Sequence, residues 1–274
     1  MKTIVTWILC LAAVATLAQE PIEVKIEDRP SSQGIQPAFE VAVPQATPRQ
    51  AIDLWKKTIT PSKLFKKTPK MDKVKDEWLV NNVLISDIVS QPLNVITQVS
   101  DFPGHIYVRI FLYNQAGFLG ADSSEQTASA KNYIRNYAVE LYRQAVEKEL
   151  KDEEQTLKGL ERDLKNLVKR NNNYNDKQVD AEREKAEMER DARSQRDLID
   201  QKGMVLTADP EGTRADAEKE LKSTEKDIKK AGRDASRFKK KSRKNERDQR
   251  DKEREIEKQK QKVEQVRIKL GNIR

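Results

Sequence analysis

Two interleaved series of residues, each spaced seven apart, run through positions 217–273 of the chain. Between Phe238 and Ile256 every seam position is polar, whereas both ends of the seam are mostly apolar. A seven-residue repeat sustained for about eight heptads predicts a long helix that supercoils against a partner helix. The first series is Leu221, Ile228, Ala235, Ser242, Gln249, Ile256, Val263 and Leu270, and the second is Ala217, Thr224, Ala231, Phe238, Asn245, Lys252, Gln259, Val266 and Ile273.

A second seam lies upstream, where heptad spacing holds at Val146, Leu150, Leu157, Leu160, Leu164 and Leu167, with Glu153 as the polar member. A helix with so narrow an apolar seam is not stable alone, so we expect the two seams to pair with each other or with a second chain. The asparagine-rich run at 171–176 predicts a turn, because Asn tolerates left-handed backbone. A second break is expected at 203–212. The predicted coiled-coil seam comprises Leu150, Leu157, Leu160, Leu164, Leu221, Ile228, Ile256, Val263 and Leu270.

Composition limits what precedes these helices. Charged residues make up 36% of the chain and aromatic residues 5%, and the mean hydropathy is −0.85. These values exclude one large hydrophobic domain and a polytopic membrane protein. Most aromatic residues fall between Phe39 and Tyr142, which is where a small core can form. We therefore predict an α+β fold: a small antiparallel sheet with a covering helix, extended into a long α-helical coiled-coil arm.

The head of this fold is predicted over 39–123 and the arm over 124–274. Alternating or apolar runs indicate strands at 39–43, 78–85, 93–99 and 105–113. The sequence from Thr47 to Gln50 fits a capping box with Pro48 at the first helical position, and the helix should end near Thr60. Ser124 is the candidate cap of the next helix, whose apolar stripe from Tyr133 to Tyr142 is expected to cover the sheet.

The N-terminal 18 residues have the three parts of a secretory signal peptide: a positive start, an apolar stretch and small residues around Ala18. The alternative is an uncleaved anchor, although the apolar stretch is shorter than the roughly 20 residues that span a bilayer. Residues 19–38 are polar and contain three prolines, which predicts a flexible linker. Cleavage would remove Cys10, the only cysteine, and no Asn-x-Ser/Thr acceptor occurs. We expect an exported protein of the bacterial periplasm or cell surface.

Positive charge is concentrated in one window. Residues 1–130 carry 13 basic and 13 acidic residues, whereas 229–250 alone carries 11 and 3. One interpretation is that the seam opens here and the charges are solvated; a second is a site for an anionic envelope polymer or membrane surface. A third places a turn at 242–245. Nucleic acid is disfavoured, because Phe238 is the only aromatic residue available for stacking. The candidate site residues are Arg237, Lys239, Lys240, Lys241, Arg243, Lys244 and Arg247.

Catalytic chemistry has little support in the sequence. His105 is the only histidine, no G-x-S-x-G motif or phosphate-binding loop occurs, and metal ligation would depend on carboxylates alone. We predict no catalytic, cofactor-binding or metal residues, and no cofactor. The expected function is that of an exported structural or adaptor protein, which scaffolds or oligomerises through a protein partner or self-association of its coiled coil. The alternative is a binding module that uses 229–250.

Overall fold

The computed structural model of the protein describes residues 22–60, 70–122, 124–205 and 211–273. The signal peptide predicted at 1–18 lies outside these residues. The chain divides into two compact units: the chain up to Lys151 together with Gln265 to the C-terminus, and Asp152–Glu264. The α+β fold, with an antiparallel sheet and long helices, is confirmed. Among the described helices, none combines the length and apolar character needed to cross a membrane.

The first unit, which we call the head, is built on a seven-stranded sheet in which all pairings are antiparallel. The strand order is β1-β2-β6-β5-β4-β3, and β7 pairs with β6. The strands are β1 (Val24–Ser31), β2 (Gly34–Pro44), β3 (Met71–Val74), β4 (Glu77–Val83), β5 (Leu93–Phe102), β6 (His105–Asn114) and β7 (Gly117–Phe118).

The flexible linker predicted over 19–38 is wrong from residue 24 onward, because these residues form the hairpin of β1 and β2. Pairing with β6 on the other side of β2, where Phe39 lies opposite Ile110, holds the hairpin in the sheet. Pro30 lies in the edge strand β1, a place where a missing N–H donor is tolerated. The partner strand is about 70 residues away in sequence, so local composition does not reveal it.

The helix α1 (Pro48–Ile59) begins at the predicted capping box. The Thr47 side chain accepts a hydrogen bond from the Gln50 backbone N–H at 3.3 Å, and the Gln50 side chain accepts one from the Thr47 N–H at 3.0 Å. The fully buried Trp55 ring contacts the rings of Tyr133 and Tyr137, with centroid distances of 6.2 and 4.8 Å. This aromatic group joins α1 to the next helix.

The helix α2 (Glu125–Val205) covers the sheet with its first turns, where Ile134, Ala138 and Leu141 are fully buried. Ser124 caps it by accepting a hydrogen bond from the Thr127 N–H at 3.3 Å. The Tyr133 hydroxyl donates to the Thr58 carbonyl of α1 at 3.0 Å. Burial, with a smaller effect of the negative charge on Asp87, raises the pKa of Tyr133 to about 12.

The helix α3 (Glu211–Gly271) returns to the head at its C-terminal end. Val266 and Ile273 are buried in the same apolar core as the sheet and the first turns of α2, and Leu270 packs against it. The Lys269 ammonium forms an ion pair with Glu149 of α2 at 3.0 Å and also contacts Gln45. The head core is therefore built from both ends of the described chain.

The second unit, which we call the helical hairpin, consists of residues 152–205 of α2 and 211–264 of α3. The contacts pair early residues of α2 with late residues of α3, so the helices are antiparallel: Gln259 donates to the Glu153 carbonyl at 3.0 Å, and Arg196 pairs with Glu225. The seams thus pair within the chain. α2 ends at Val205 and α3 begins at Glu211, so both of these helix ends fall inside the predicted break at 203–212; residues 206–210 of that break lie outside the described residues.

The break predicted at 171–176 is wrong, because α2 continues through it as a helix. The Ser242 hydroxyl of α3 lies 3.0 Å from Asn171 Oδ1 and 2.7 Å from Asn175 Oδ1. These contacts with the facing helix engage amide side chains that would otherwise compete for local backbone groups in a turn. Asn171 thus serves as a polar member of the seam, and Asn175 is an exposed residue beside it.

Low exposure follows both predicted series of α3 without interruption from Ala217 to Ile273. The seam does not open at its polar stretch, and no turn occurs at 242–245, because α3 is continuous there. Ser242, Asn245 and Gln259 are all buried, and Gln249 donates to Asn245 Oδ1 at 2.7 Å and to the Leu167 carbonyl at 3.4 Å. Hydrogen-bonded polar layers take the place of apolar packing. The predicted seam residues are all buried or half-buried: Leu150, Leu157, Leu160, Leu164, Leu221, Ile228, Ile256, Val263 and Leu270.

Candidate functional site

The seam of α3 determines which of its side chains point away from α2. With the two series at heptad positions a and d, positions b, c and f lie on the opposite side of the helix. Fourteen such positions fall between residues 219 and 250, all are exposed, and none is acidic. We call them the basic face: Lys219, Lys222, Ser223, Lys226, Lys229, Lys230, Arg233, Ser236, Arg237, Lys240, Arg243, Lys244, Arg247 and Arg250.

Acidic residues of the same stretch occupy a different part of the helix. All of them lie at positions e and g, which flank the seam, and Glu225 for example is paired with Arg196 of α2. Asp216 and Asp251 are the nearest acidic residues at outward positions, and they bound the basic face at its two ends. None of its twelve cations lies within ion-pair distance of a carboxylate in the described part of the chain. Charge is therefore segregated by heptad position.

The outward side of α2 provides an internal comparison. Its b, c and f positions opposite the basic face carry both signs, with Lys165, Lys169, Asp176, Asp180 and Arg183 in succession. That mixture is typical of an ordinary solvated helix face. On α3, by contrast, cations follow one another at spacings of three and four residues, and each such like-charge pair destabilises a helix by roughly 0.2–0.5 kcal/mol at low salt. The basic face is therefore not explained by helix stability.

Five of the seven predicted anion-site residues belong to the basic face: Arg237, Lys240, Arg243, Lys244 and Arg247. The other two, Lys239 and Lys241, lie beside the seam at positions e and g. The Lys241 ammonium sits 5.7 Å from the ring centroid of Tyr174 and 5.9 Å from that of Phe238, a cation–π arrangement. Lys241 therefore covers the rings that a base would need for stacking.

Seven of the twelve cations were not among the candidate site residues. Four of them lie within the basic window 229–250, namely Lys229, Lys230, Arg233 and Arg250. Lys219, Lys222 and Lys226 lie outside it, because a count of charges within a window includes the acidic residues beside the seam. Sorting the same residues by heptad position would have found them. A shallow depression on α3 is lined by Lys229, Arg233, Arg237, Lys240 and Lys244, with Gly232 and Ser236 between them. Gly232 has no side chain and Ser236 a short one, so the guanidinium and ammonium groups surround an open space.

Among the described residues, the head carries two buried charged groups, Glu40 and Glu77, and the partners of Glu40 give it a structural role. Glu40, with 8% of its surface exposed, accepts hydrogen bonds from Arg29 of β1 at 3.0 Å and from Arg109 of β6. Burial raises the pKa of Glu40, but the hydrogen bonds and charges of Arg109 and Arg29 outweigh burial, and the pKa lies below its ordinary value. This ion triad links three neighbouring strands and engages both carboxylate oxygens of Glu40.

His105 is a sheet residue held among aromatic rings. It begins β6, its ring stacks against Phe102 at a centroid distance of 5.8 Å, and Tyr107 meets it edge-on at 5.1 Å. Within residues 22–60, 70–122, 124–205 and 211–273, no group of His, Cys, Asp and Glu side chains has the arrangement of a metal site.

A groove of the head lies between α1 and strands β3 to β5, with a volume of about 580 Å³. The Lys73 ammonium lies 5.5 Å from the Trp78 ring centroid in this groove, and Arg49 and Asp53 form an ion pair at 3.7 Å on the opposite wall. Both signs of charge are present in the groove, since Asp76 lines it together with these residues. The groove therefore shows no preference for one class of ligand, in contrast to the basic face.

A scan against protein-family models, a search of curated proteins and a search of solved structures found no match to this chain.

Proposed function

We propose that the protein is an exported structural or adaptor protein of the bacterial envelope, composed of the α+β head and the helical hairpin. The observation that supports this proposal is the return of α3 to the head core through Val266, Leu270 and Ile273. Because the two seams pair within one chain, a monomer can bury them without a second copy. The outer surfaces of the hairpin and of the sheet are then available to a protein partner.

A non-enzymatic role fits the state of the titratable groups whose pKa values are shifted. The Glu40 carboxylate is held by two arginines, and Glu77 accepts hydrogen bonds from the Ser32 N–H and the Gln98 amide, both at 2.9 Å. The Tyr133 and Tyr137 hydroxyls donate to backbone carbonyls of α1. Each of these four groups is engaged in holding elements together, whereas acid–base catalysis needs a group free to meet a substrate.

Export can be tested with the full chain carrying a C-terminal tag, expressed in a bacterium and fractionated into cytoplasm, periplasm and membranes. We expect the tagged protein outside the cytoplasm, with a mature N-terminus close to Gln19 by mass spectrometry. A variant that lacks residues 2–18 is the control and should stay in the cytoplasm. Recovery of uncleaved full-length chain in the cytoplasm would contradict the proposal.

Whether the mature chain is a monomer can be tested by size-exclusion chromatography coupled to light scattering, at protein concentrations from micromolar upward. We expect the mass of a monomer across the concentration range. Assembly through the coiled coil would instead give a mass that rises with concentration. The second candidate function, an anion-binding module, is favoured by the basic face and does not depend on the outcome of this measurement.

A further inference from the structure

We infer that the basic face of α3 binds a linear phosphate-bearing polymer along the helix axis; this inference deepens the anion-binding candidate above. The face runs from Lys219 to Arg250, which at 1.5 Å per residue is about 46 Å, and positions b, c and f span an arc of roughly 100°. A long, narrow stripe of one sign fits a polymer that repeats its own charge along its length. A single small anion would use only one or two of the twelve cations.

The mixture of side chains favours phosphate as the anionic group. Five of the twelve cations are arginines, whose planar guanidinium groups bind phosphate oxygens in a bidentate manner, and seven are lysines. The only other side chains on the face are the hydroxyls of Ser223 and Ser236, which can donate to a phosphate oxygen. The cations of the basic face have no counterion among the described carboxylates, so a bound phosphate polymer would also relieve the repulsion between them.

A membrane surface is the weaker fit. Helices that lie in the membrane interface place an apolar stripe beside their basic residues and bury it among the acyl chains. All fourteen positions of the basic face are basic or serine, and the apolar residues of this stretch face the seam instead. Contact with lipid would therefore be limited to headgroup charge, with nothing to insert.

Base recognition is also disfavoured on this surface. Phe238 and Tyr174 are half-buried in the seam, and the ammonium groups of Lys177 and Lys241 lie over the Phe238 ring at 6.0 and 5.9 Å. No aromatic residue occupies the basic face, so a nucleic acid would be held only through its backbone. We expect a polymer without bases to bind as well as one with bases at equal phosphate concentration.

The test uses the mature full chain and fluorescently labelled long-chain inorganic polyphosphate, with binding followed by anisotropy. The first variant neutralises six cations of the basic face: Arg233→Gln, Arg237→Gln, Lys240→Gln, Arg243→Gln, Lys244→Gln and Arg247→Gln. The matched control neutralises six exposed cations at outward positions of α2: Lys158→Gln, Arg162→Gln, Lys165→Gln, Lys169→Gln, Arg190→Gln and Arg193→Gln. Both variants lose the same formal charge, so position is separated from net charge. Circular dichroism reports whether each variant keeps its helices.

For the wild-type chain, an affinity loss of about 10³-fold or more between 50 and 200 mM salt is expected if six or more phosphates are contacted. The basic-face variant should bind at least about 100-fold more weakly than wild type, and the α2 control should stay within about threefold of it, since backbone contacts act through local charge. Equal losses in the two folded variants would overturn the inference, because net charge alone would then explain binding.

Two further probes separate the sources of phosphate. Single-stranded homopolymer DNA should match polyphosphate per phosphate, and a clear preference for the DNA would overturn the inference by showing base recognition. Phosphatidylglycerol vesicles at equal accessible phosphate should bind more weakly than polyphosphate. Tighter binding of the vesicles would overturn the inference and indicate a membrane surface as the ligand. Failure of these tests leaves the fractionation result untouched, so the two proposals can fail separately.

Discussion

Replacement of Ile273 by alanine probes whether the C-terminal end of α3 holds the head together. Ile273 is 6% exposed and lies in the core that also contains the sheet and the first turns of α2. Truncation of a buried isoleucine to alanine typically costs about 2–5 kcal/mol. Because Ile273 lies just beyond Gly271, the last residue of α3, and its surroundings can partly collapse, we expect the lower end, about 2 kcal/mol.

The matched control is Ile268→Ala, made five residues earlier, in the last turns of α3, whereas Ile273 follows the end of that helix at Gly271. Ile268 is 57% exposed, so its truncation removes little buried surface, and alanine has the higher helix propensity. We expect its stability to stay within about 0.5 kcal/mol of wild type. The two variants share the chemistry of the change and differ in burial.

Unfolding can be followed by tryptophan fluorescence, because the fully buried Trp55 reports on the head core. For a domain of this size, a loss of about 2 kcal/mol corresponds to a midpoint lower by about 4–8 °C. In urea the midpoint should fall while the dependence of unfolding free energy on denaturant keeps its slope. Equal midpoints for the two variants would refute the packing of the α3 end into the head.

Three further outcomes follow from particular contacts. Ser242→Ala leaves the amide oxygens of Asn171 and Asn175 without their partner in α3, and should lower the unfolding free energy by about 1 kcal/mol. Ser236→Ala, on the exposed side of α3, should change the unfolding free energy little. Equal effects of the two substitutions in chemical denaturation would argue against the polar layer. The pKa of Glu40 is lower in the folded state, so its stabilisation is present above the unfolded pKa of about 4.3 and is lost as the pH falls through the folded pKa. Glu40→Gln should therefore be less stable than wild type at pH 7, with the difference shrinking below about pH 4 in urea titrations; a difference that does not depend on pH would contradict the ion triad. The pKa of Tyr133 is raised to about 12, so the stabilisation linked to its neutral hydroxyl is present below about pH 10 and is lost as the pH rises toward 12. Tyr133→Phe should lose part of that alkaline sensitivity in thermal scans at pH 9 and 11, and an unchanged pH dependence would contradict this assignment.

Local patterns in the sequence determined the elements that depend on residues close together in the chain. The capping box at Thr47 and Gln50 fixed the start of α1, because both of its hydrogen bonds are made within four residues. The strands that became β5 and β6 alternate or are continuously apolar and lie next to each other in the chain. The seven-residue spacing of α3 also predicted which of its side chains would be shielded, since the helix period fixes the face of each residue.

Tertiary contacts decided the features that depend on residues far apart in the chain. Asn171 lies in a helix because Ser242, 71 residues later, meets its side chain, and a local turn preference of about 1 kcal/mol or less is readily overridden by such packing. The hairpin of β1 and β2 is held in the sheet because residues 39–44 of β2 pair with β6. The same pairing of α2 with α3 turns the cations from Lys219 to Arg250 outward together. The seven-residue repeat in the sequence set the position of each charge around α3, but only the choice of α2 as its partner decided which side of the helix remained in water.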